Sequence, residues 1–92
     1  MTKPHLSADE ARTRLAGLKG WALESDRLRK TYGLESFAAA IAFVQRVAAL
    51  AEQADHHPDM LVEYRNVTLT LTSHDAGGLT ERDFELAARI DA

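Results

Sequence analysis

Cysteine is absent from all 92 residues of the chain. No disulfide can cross-link it, and no cysteine-based zinc site can nucleate its fold. Proline occurs twice and glycine five times, too rarely for a fibrous or low-complexity sequence. Charge of one sign is not massed anywhere: 11 Lys and Arg against 14 Asp and Glu leave a formal charge of −3. That balance provides no electrostatic footprint for nucleic acid. Long hydrophobic runs are missing too. The longest, Phe37 to Val44, is too short to span a bilayer. The N-terminal Met1-Thr2-Lys3-Pro4-His5 lacks the apolar core of a signal peptide. The expectation is a cytoplasmic protein with no membrane or nucleic-acid partner.

What is there is an ordinary soluble mixture, 46% hydrophobic and 27% charged. Its length suits a single domain over residues 1–92. So short a chain buries a modest fraction of its surface. Without disulfides, self-association is the remaining common way to stabilise it, so a homo-oligomer, dimer or tetramer, is expected.

Ser7-Ala8-Asp9-Glu10 reads as a capping box, with Leu6 placed to staple against Ala11. Leu15 and Leu18 continue at helical spacing until Gly20. Two strands follow, Trp21 to Glu24 and Arg27 to Tyr32, turned by Ser25-Asp26. Ser36 caps a long helix to about Ala54. Its two stripes, Phe37, Ile41, Val44, Ala48 and Ala40, Phe43, Val47, Leu50, make an apolar face wider than a surface helix needs. After His56-His57-Pro58 come strands Met60 to Tyr64 and Val67 to Thr72, linked by Arg65-Asn66. Gly77-Gly78 interrupts the chain, and Thr80 to Asp83 is a second capping box, opening a helix with Phe84, Ala87, Ala88 and Ile90. The order αββαββα implies an α+β fold: a four-stranded antiparallel sheet with helices packed on one face.

Several polar residues stand at the ends of these elements. Glu52 continues the spacing of Val44 and Ala48, so a carboxylate extends the buried stripe unless the helix end is frayed and solvated. His56 lies one turn further, within reach of Glu52 if the helix persists. His57 precedes a proline and is pushed to extended geometry, so the two imidazoles need not share a role. His74 follows Thr70 and Thr72 by the period of the strand's polar face, just before the glycines and a helix N-terminus. Asp83 is explained by its capping box, and Tyr64 by a core aromatic with a wet hydroxyl. Imidazole moves protons near neutral pH. No Cys nucleophile, serine elbow or phosphate loop is present. These residue types point to acid–base chemistry or to a metal site and do not choose between them.

Taken together their spacing is specific. Glu52, His56-His57-Pro58, Tyr64, His74 and Asp83, seven positions in all, resemble the signature of the pterin-4a-carbinolamine dehydratases. Gly78-Leu79-Thr80, Leu86, Ala87 and Ile90 extend the resemblance, as do Trp21, Phe37, Ala40 and Phe43 upstream. Tyr32, where that family often has Phe, is a mild departure. The resemblance implies the same αββαββα fold. It implies dehydration of a 4a-hydroxytetrahydropterin, made by aromatic amino acid hydroxylases, to a quinonoid dihydropterin, with no metal and no cofactor. It implies His56 and His74 as the acids, one for each face of the pterin, and His57 chiefly as a binding residue. Glu52 would orient a neighbouring imidazole and favour its protonated form. Pro58 and the segment Ser73, His74, Asp75 and Ala76 would line the pterin pocket with Tyr64, and Asp83 would support the His74 loop.

Two rival readings follow from the same residues. Glu52, His56 and His74 are ligand types of a metal-dependent hydrolase or lyase. Some members of the resembled family also serve as dimerisation cofactors of a transcription factor, so an interaction module is the other alternative.

Overall fold

The computed structural model describes residues 5–92. Helix α1 (Ala8–Leu15) starts with the expected reciprocal cap between Ser7 and Glu10. It stops at Leu15, before Gly20 is reached, and successive short turns carry Ala16 to Leu18. Gly20 then takes φ +81°, a conformation that suits a residue without Cβ. Strand β1 (Ala22–Glu24) and β2 (Arg27–Gly33) form a hairpin through Ser25-Asp26. Trp21 lies outside the strand, buried against the core.

Helix α2 (Phe37–Ala54) has the predicted bounds, with Ser36 Oγ accepting from the Ala39 amide. By length and composition it is apolar enough to cross a membrane, contrary to the expectation that no stretch is. It buries Ala40, Val47 and Ala51, and contacts β4 and α3. Strands β3 (Asp59–Glu63) and β4 (Asn66–Leu71) make the second hairpin. Its turn is Tyr64-Arg65 rather than Arg65-Asn66. Asn66 is held in the ladder opposite both Glu63 and Gly33, and Tyr64 takes the left-handed position at φ +54°. Helix α3 (Glu81–Asp91) opens on the Thr80–Asp83 capping box.

The sheet order is β1-β2-β4-β3, antiparallel throughout. Central pairing of β2 with β4 aligns Leu28 with Leu71 and Tyr32 with Val67, so period-two alternation delivers these side chains to one face. There they meet Trp21, Val47, Phe84, Leu86, Ala87 and Ile90 in one core. The fold is thus α+β with a four-stranded antiparallel sheet.

The far end of α3 is tied to the sheet by polar bonds. Asp91 accepts hydrogen bonds from the Trp21 indole, the Lys30 ammonium and the Tyr32 hydroxyl. Arg46 of α2 donates to the carbonyls of Ile90 and Ala92, satisfying acceptors that a helix end leaves open. Tyr32, the departure noted in the sequence, therefore has a defined partner for its hydroxyl.

Candidate active site

The site begins where α2 ends. Asp55 adopts φ +50° as the helix C-cap, and the chain turns there. The His56 amide still bonds to the Ala51 carbonyl, while its side chain goes inward and is 8% exposed. His56 Nε2 lies 2.6 Å from Oδ1 of Asp83 on α3, a carboxyl group with no exposure at all. The other oxygen, Oδ2, accepts from the Ser73 hydroxyl and the Thr80 amide, each at 2.9 Å. Ser73 and Thr80 hydroxyls are themselves paired at 2.8 Å. A fully buried carboxylate needs such partners to offset its desolvation, and the amino end of α3 adds favourable backbone dipoles.

This arrangement corrects two expectations. Glu52 does not continue the buried stripe: Ala51 occupies that face, and the Glu52 side chain is 75% exposed. Nor does Glu52 reach His56. It pairs with His57, whose Nε2 is 2.5 Å from Glu52 Oε2, on the outer surface. The physical reason is the left-handed cap at Asp55, which ends the helical progression and turns consecutive histidines to opposite sides. Asp83 is likewise more than a cap and a support for the His74 loop, because it is also the partner of His56.

His74 starts a short 3₁₀ turn (His74–Ala76) after β4 and is exposed. Its neighbour Ser73 is buried and bonded to Asp83, which brings this segment beside His56. Asp75 feels the proximity of His56, but its main partner is Arg82, whose Nη2 donates at 2.7 Å. That bond, above all, holds the Asp75 carboxyl below its usual range. Arg82 was missed in the sequence. Its signal was available only as a basic residue beside Asp83 in the first turn of α3, where a cation is unfavourable by itself. Pro58 is buried and leads directly into β3.

Tyr64 is not brought to this corner. It sits at the opposite end of β3, 71% exposed at the hairpin turn, about 15–20 Å from Pro58 by strand rise. The ligand set Glu52, His56 and His74 is also not assembled, since Glu52 is engaged with His57 and His56 with Asp83. Among the described residues no group of three or more His, Asp or Glu is arranged to hold a metal ion. A groove of about 550 Å³ lies nearby, lined by Ala54, Arg82, Glu85, Leu86, Ala88 and Arg89.

Chemically, the corner offers one buried imidazole on a fixed carboxylate, a second imidazole on the surface with its own carboxylate, and a third at a strand end. Such a set can donate and accept protons without a nucleophile.

Comparison with known proteins gives the family. A protein of Roseiflexus sp. (strain RS-1), provisionally named a pterin-4-alpha-carbinolamine dehydratase, is 56% identical over 86 residues, covering 94% of this chain and 92% of its own. A relative with the same provisional name from Sulfolobus acidocaldarius is 41% identical, with 94% of both chains covered. Among solved structures, a transcriptional coactivator/pterin dehydratase from Brucella melitensis superposes with a TM-score of 0.90 at 29% identity, over 95% of each chain. A pterin dehydratase-like protein identified as a RuBisCO assembly factor in the alpha-carboxysome superposes with a TM-score of 0.62 at 29% identity, over 77% of this chain and 82% of its own. The family described as pterin 4 alpha carbinolamine dehydratase matches residues 4–92, and the chain belongs to that family.

Proposed function

We propose that this protein dehydrates 4a-hydroxytetrahydropterins to quinonoid dihydropterins, using its histidines as acids and bases. The observation that carries the reading is the buried His56–Asp83–Ser73 network beside His74. A family member with no catalytic duty has little reason to keep an imidazole and a carboxylate together in the interior, where both are costly to desolvate.

The chemistry asks for little more. Hydroxide is a poor leaving group, so an imidazolium protonates the C4a oxygen as the C4a–O bond breaks. The N5 lone pair forms the new C4a–N5 π bond, and water departs. A neutral imidazole then takes a proton from the ring, giving the quinonoid product and restoring the imidazolium. His56 and His74 supply these groups, and His57 with Glu52 contributes to pterin binding at the outer edge. In this reading Pro58, Ser73, Asp75 and Ala76, which neighbour these histidines along the chain, line the pterin pocket. In this reading the enzyme serves the recycling of pterins oxidised by aromatic amino acid hydroxylases, in the cytoplasm.

The protein works as a homo-oligomer in this reading. Support comes from two unpartnered surfaces: β3 is an open sheet edge with Leu61 51% exposed, and α2 presents Phe37 at 53% exposure. A monomer at micromolar concentration in sedimentation would count against it.

The deciding experiment generates the 4a-carbinolamine enzymatically or chemically and follows its disappearance. Dehydration well above the spontaneous rate is expected, falling to that rate in the His56→Ala/His74→Ala double variant. A wild-type protein that leaves the spontaneous rate unchanged would turn the reading toward a binding role, of the kind named for the coactivator and assembly-factor relatives.

A further inference from the structure

We infer that Asp83 is a positioning residue that locks the tautomer of His56, making Nδ1 the nitrogen that exchanges protons with the substrate. The inference rests on the acid–base reading of His56 given above and specifies how that residue works.

The argument starts at the carboxyl group. Two donors, Ser73 Oγ and the Thr80 amide, converge on Oδ2 of Asp83, and His56 Nε2 lies against Oδ1. The Thr80 amide can only donate, and the position is the third residue of α3, where the helix dipole favours an anion. An ionised carboxylate has no proton to give. His56 Nε2 must therefore carry the hydrogen in the 2.6 Å contact.

With Nε2–H fixed, the ring's variable proton resides on Nδ1. The neutral form has Nδ1 bare, and the imidazolium has it protonated. Nδ1 is also the open side of the ring. Among the described residues no buried side-chain nitrogen or oxygen lacks a hydrogen-bond partner. The bond that His56 makes through its side chain uses Nε2. Nδ1 therefore lies at the accessible surface, although the residue as a whole is only 8% exposed. During turnover Nδ1–H gives its proton to the departing hydroxyl, leaving the neutral Nε2–H ring still bonded to Asp83. Nδ1 then takes a proton from the ring system, which gives the neutral quinonoid product and restores the imidazolium.

The pairing of His57 with Glu52 looks similar but lacks this power. Both side chains are more than half exposed, at 56% and 75%, so water competes for every bond and either tautomer is accommodated. Asp83 is held instead from β4's end, from Thr80 and by its own helix, and cannot turn to follow the ring.

The test reads the tautomer directly, by long-range proton–nitrogen NMR correlation on ¹⁵N-histidine-labelled protein without substrate. Wild-type His56 in its neutral form should show Nε2 protonated and Nδ1 bare. In Asp83→Asn, the amide oxygen can keep the Ser73 and Thr80 bonds while the NH2 group faces Nε2. The tautomer should then invert to Nδ1–H, and kcat for the carbinolamine should fall by about 10²–10⁴-fold with KM changed only a few-fold. Wild-type His56 with Nδ1 protonated, or an unchanged tautomer in Asp83→Asn, would overturn the inference whatever the turnover. The wild-type spectrum decides even if the variant does not fold. A wild-type protein without dehydratase turnover would instead overturn the proposed function, whatever the tautomer, so the two failures are distinguishable.

Discussion

Replacing Asp91 by alanine removes one acceptor from three donors at once. The carboxylate takes the Trp21 indole at 2.8 Å, the Lys30 ammonium at 3.0 Å and the Tyr32 hydroxyl at 2.5 Å. Trp21 is 5% exposed, so its orphaned N–H would cost about 1–3 kcal/mol. Lys30 and Tyr32 are partly wet, and their losses add about 1 kcal/mol together. The expected destabilisation is about 2–4 kcal/mol, or at least about 10 °C in Tm for a domain of this size. Urea unfolding followed by the fluorescence of Trp21, the one tryptophan, at fixed protomer concentration measures it. A change within about 0.5 kcal/mol, as for an ordinary surface substitution, would refute the reasoning.

The pH dependence gives a second check on the same cluster. Burial by itself would raise the Asp91 carboxyl, but hydrogen bonds from Tyr32, Lys30 and Trp21 outweigh it and hold the group below its usual range. Its contribution is present above the unfolded value of about 3.9 and is lost as pH falls through the lower folded value. Tyr32 runs the other way. Burial first, then the bond to Asp91 and its charge, push the phenol far above its ordinary range. That contribution is complete below about pH 10 and is lost as pH rises through the raised folded value. The gap between the parent protein and Asp91→Ala should therefore be flat from about pH 5 to 9 and close below about pH 4.

His56→Ala should slow dehydration of one C4a epimer more than the other, His74→Ala should show the reverse preference, and each loss should be about 10²–10⁴-fold; equal slowing of both epimers would break this division. His57→Ala should act mainly on KM, since its exposed pair with Glu52 serves binding. Chelator treatment should leave the dehydratase rate unchanged, and a loss restored by zinc or iron would move the assignment to metal catalysis. Tyr64→Asn should raise stability by about 1 kcal/mol in thermal unfolding, because asparagine tolerates the left-handed conformation that Tyr64 holds at φ +54°; a loss would mean that contacts of the ring outweigh the strain.

Element type was legible because the signals were local. Ser7, Ser36 and Thr80 cap helices through atoms within three residues of themselves, and the alternation of Val67, Leu69 and Leu71 reports its own buried face. Boundaries were less legible wherever two local preferences competed. Asn66 is the better candidate for a left-handed turn, yet pairing with both Glu63 and Gly33 keeps it in the strand, and Tyr64 takes the strained place. The end of α2 at Ala54 was legible, but the left-handed turn that Asp55 takes just beyond it was not.

The sequence by itself determined the αββαββα order, the cluster of histidines and acids at element ends, and the spacing that marks the family. Which acid serves which histidine was decided only by the tertiary structure. Glu52 is four residues from His56 and was the natural partner along the chain, whereas Asp83 is 27 residues away. The left-handed turn at Asp55 swings His56 inward, and packing of α3 against α2 brings Asp83 to meet it. Such a pairing arises from two helices closing over one core, so no window along the chain contains it.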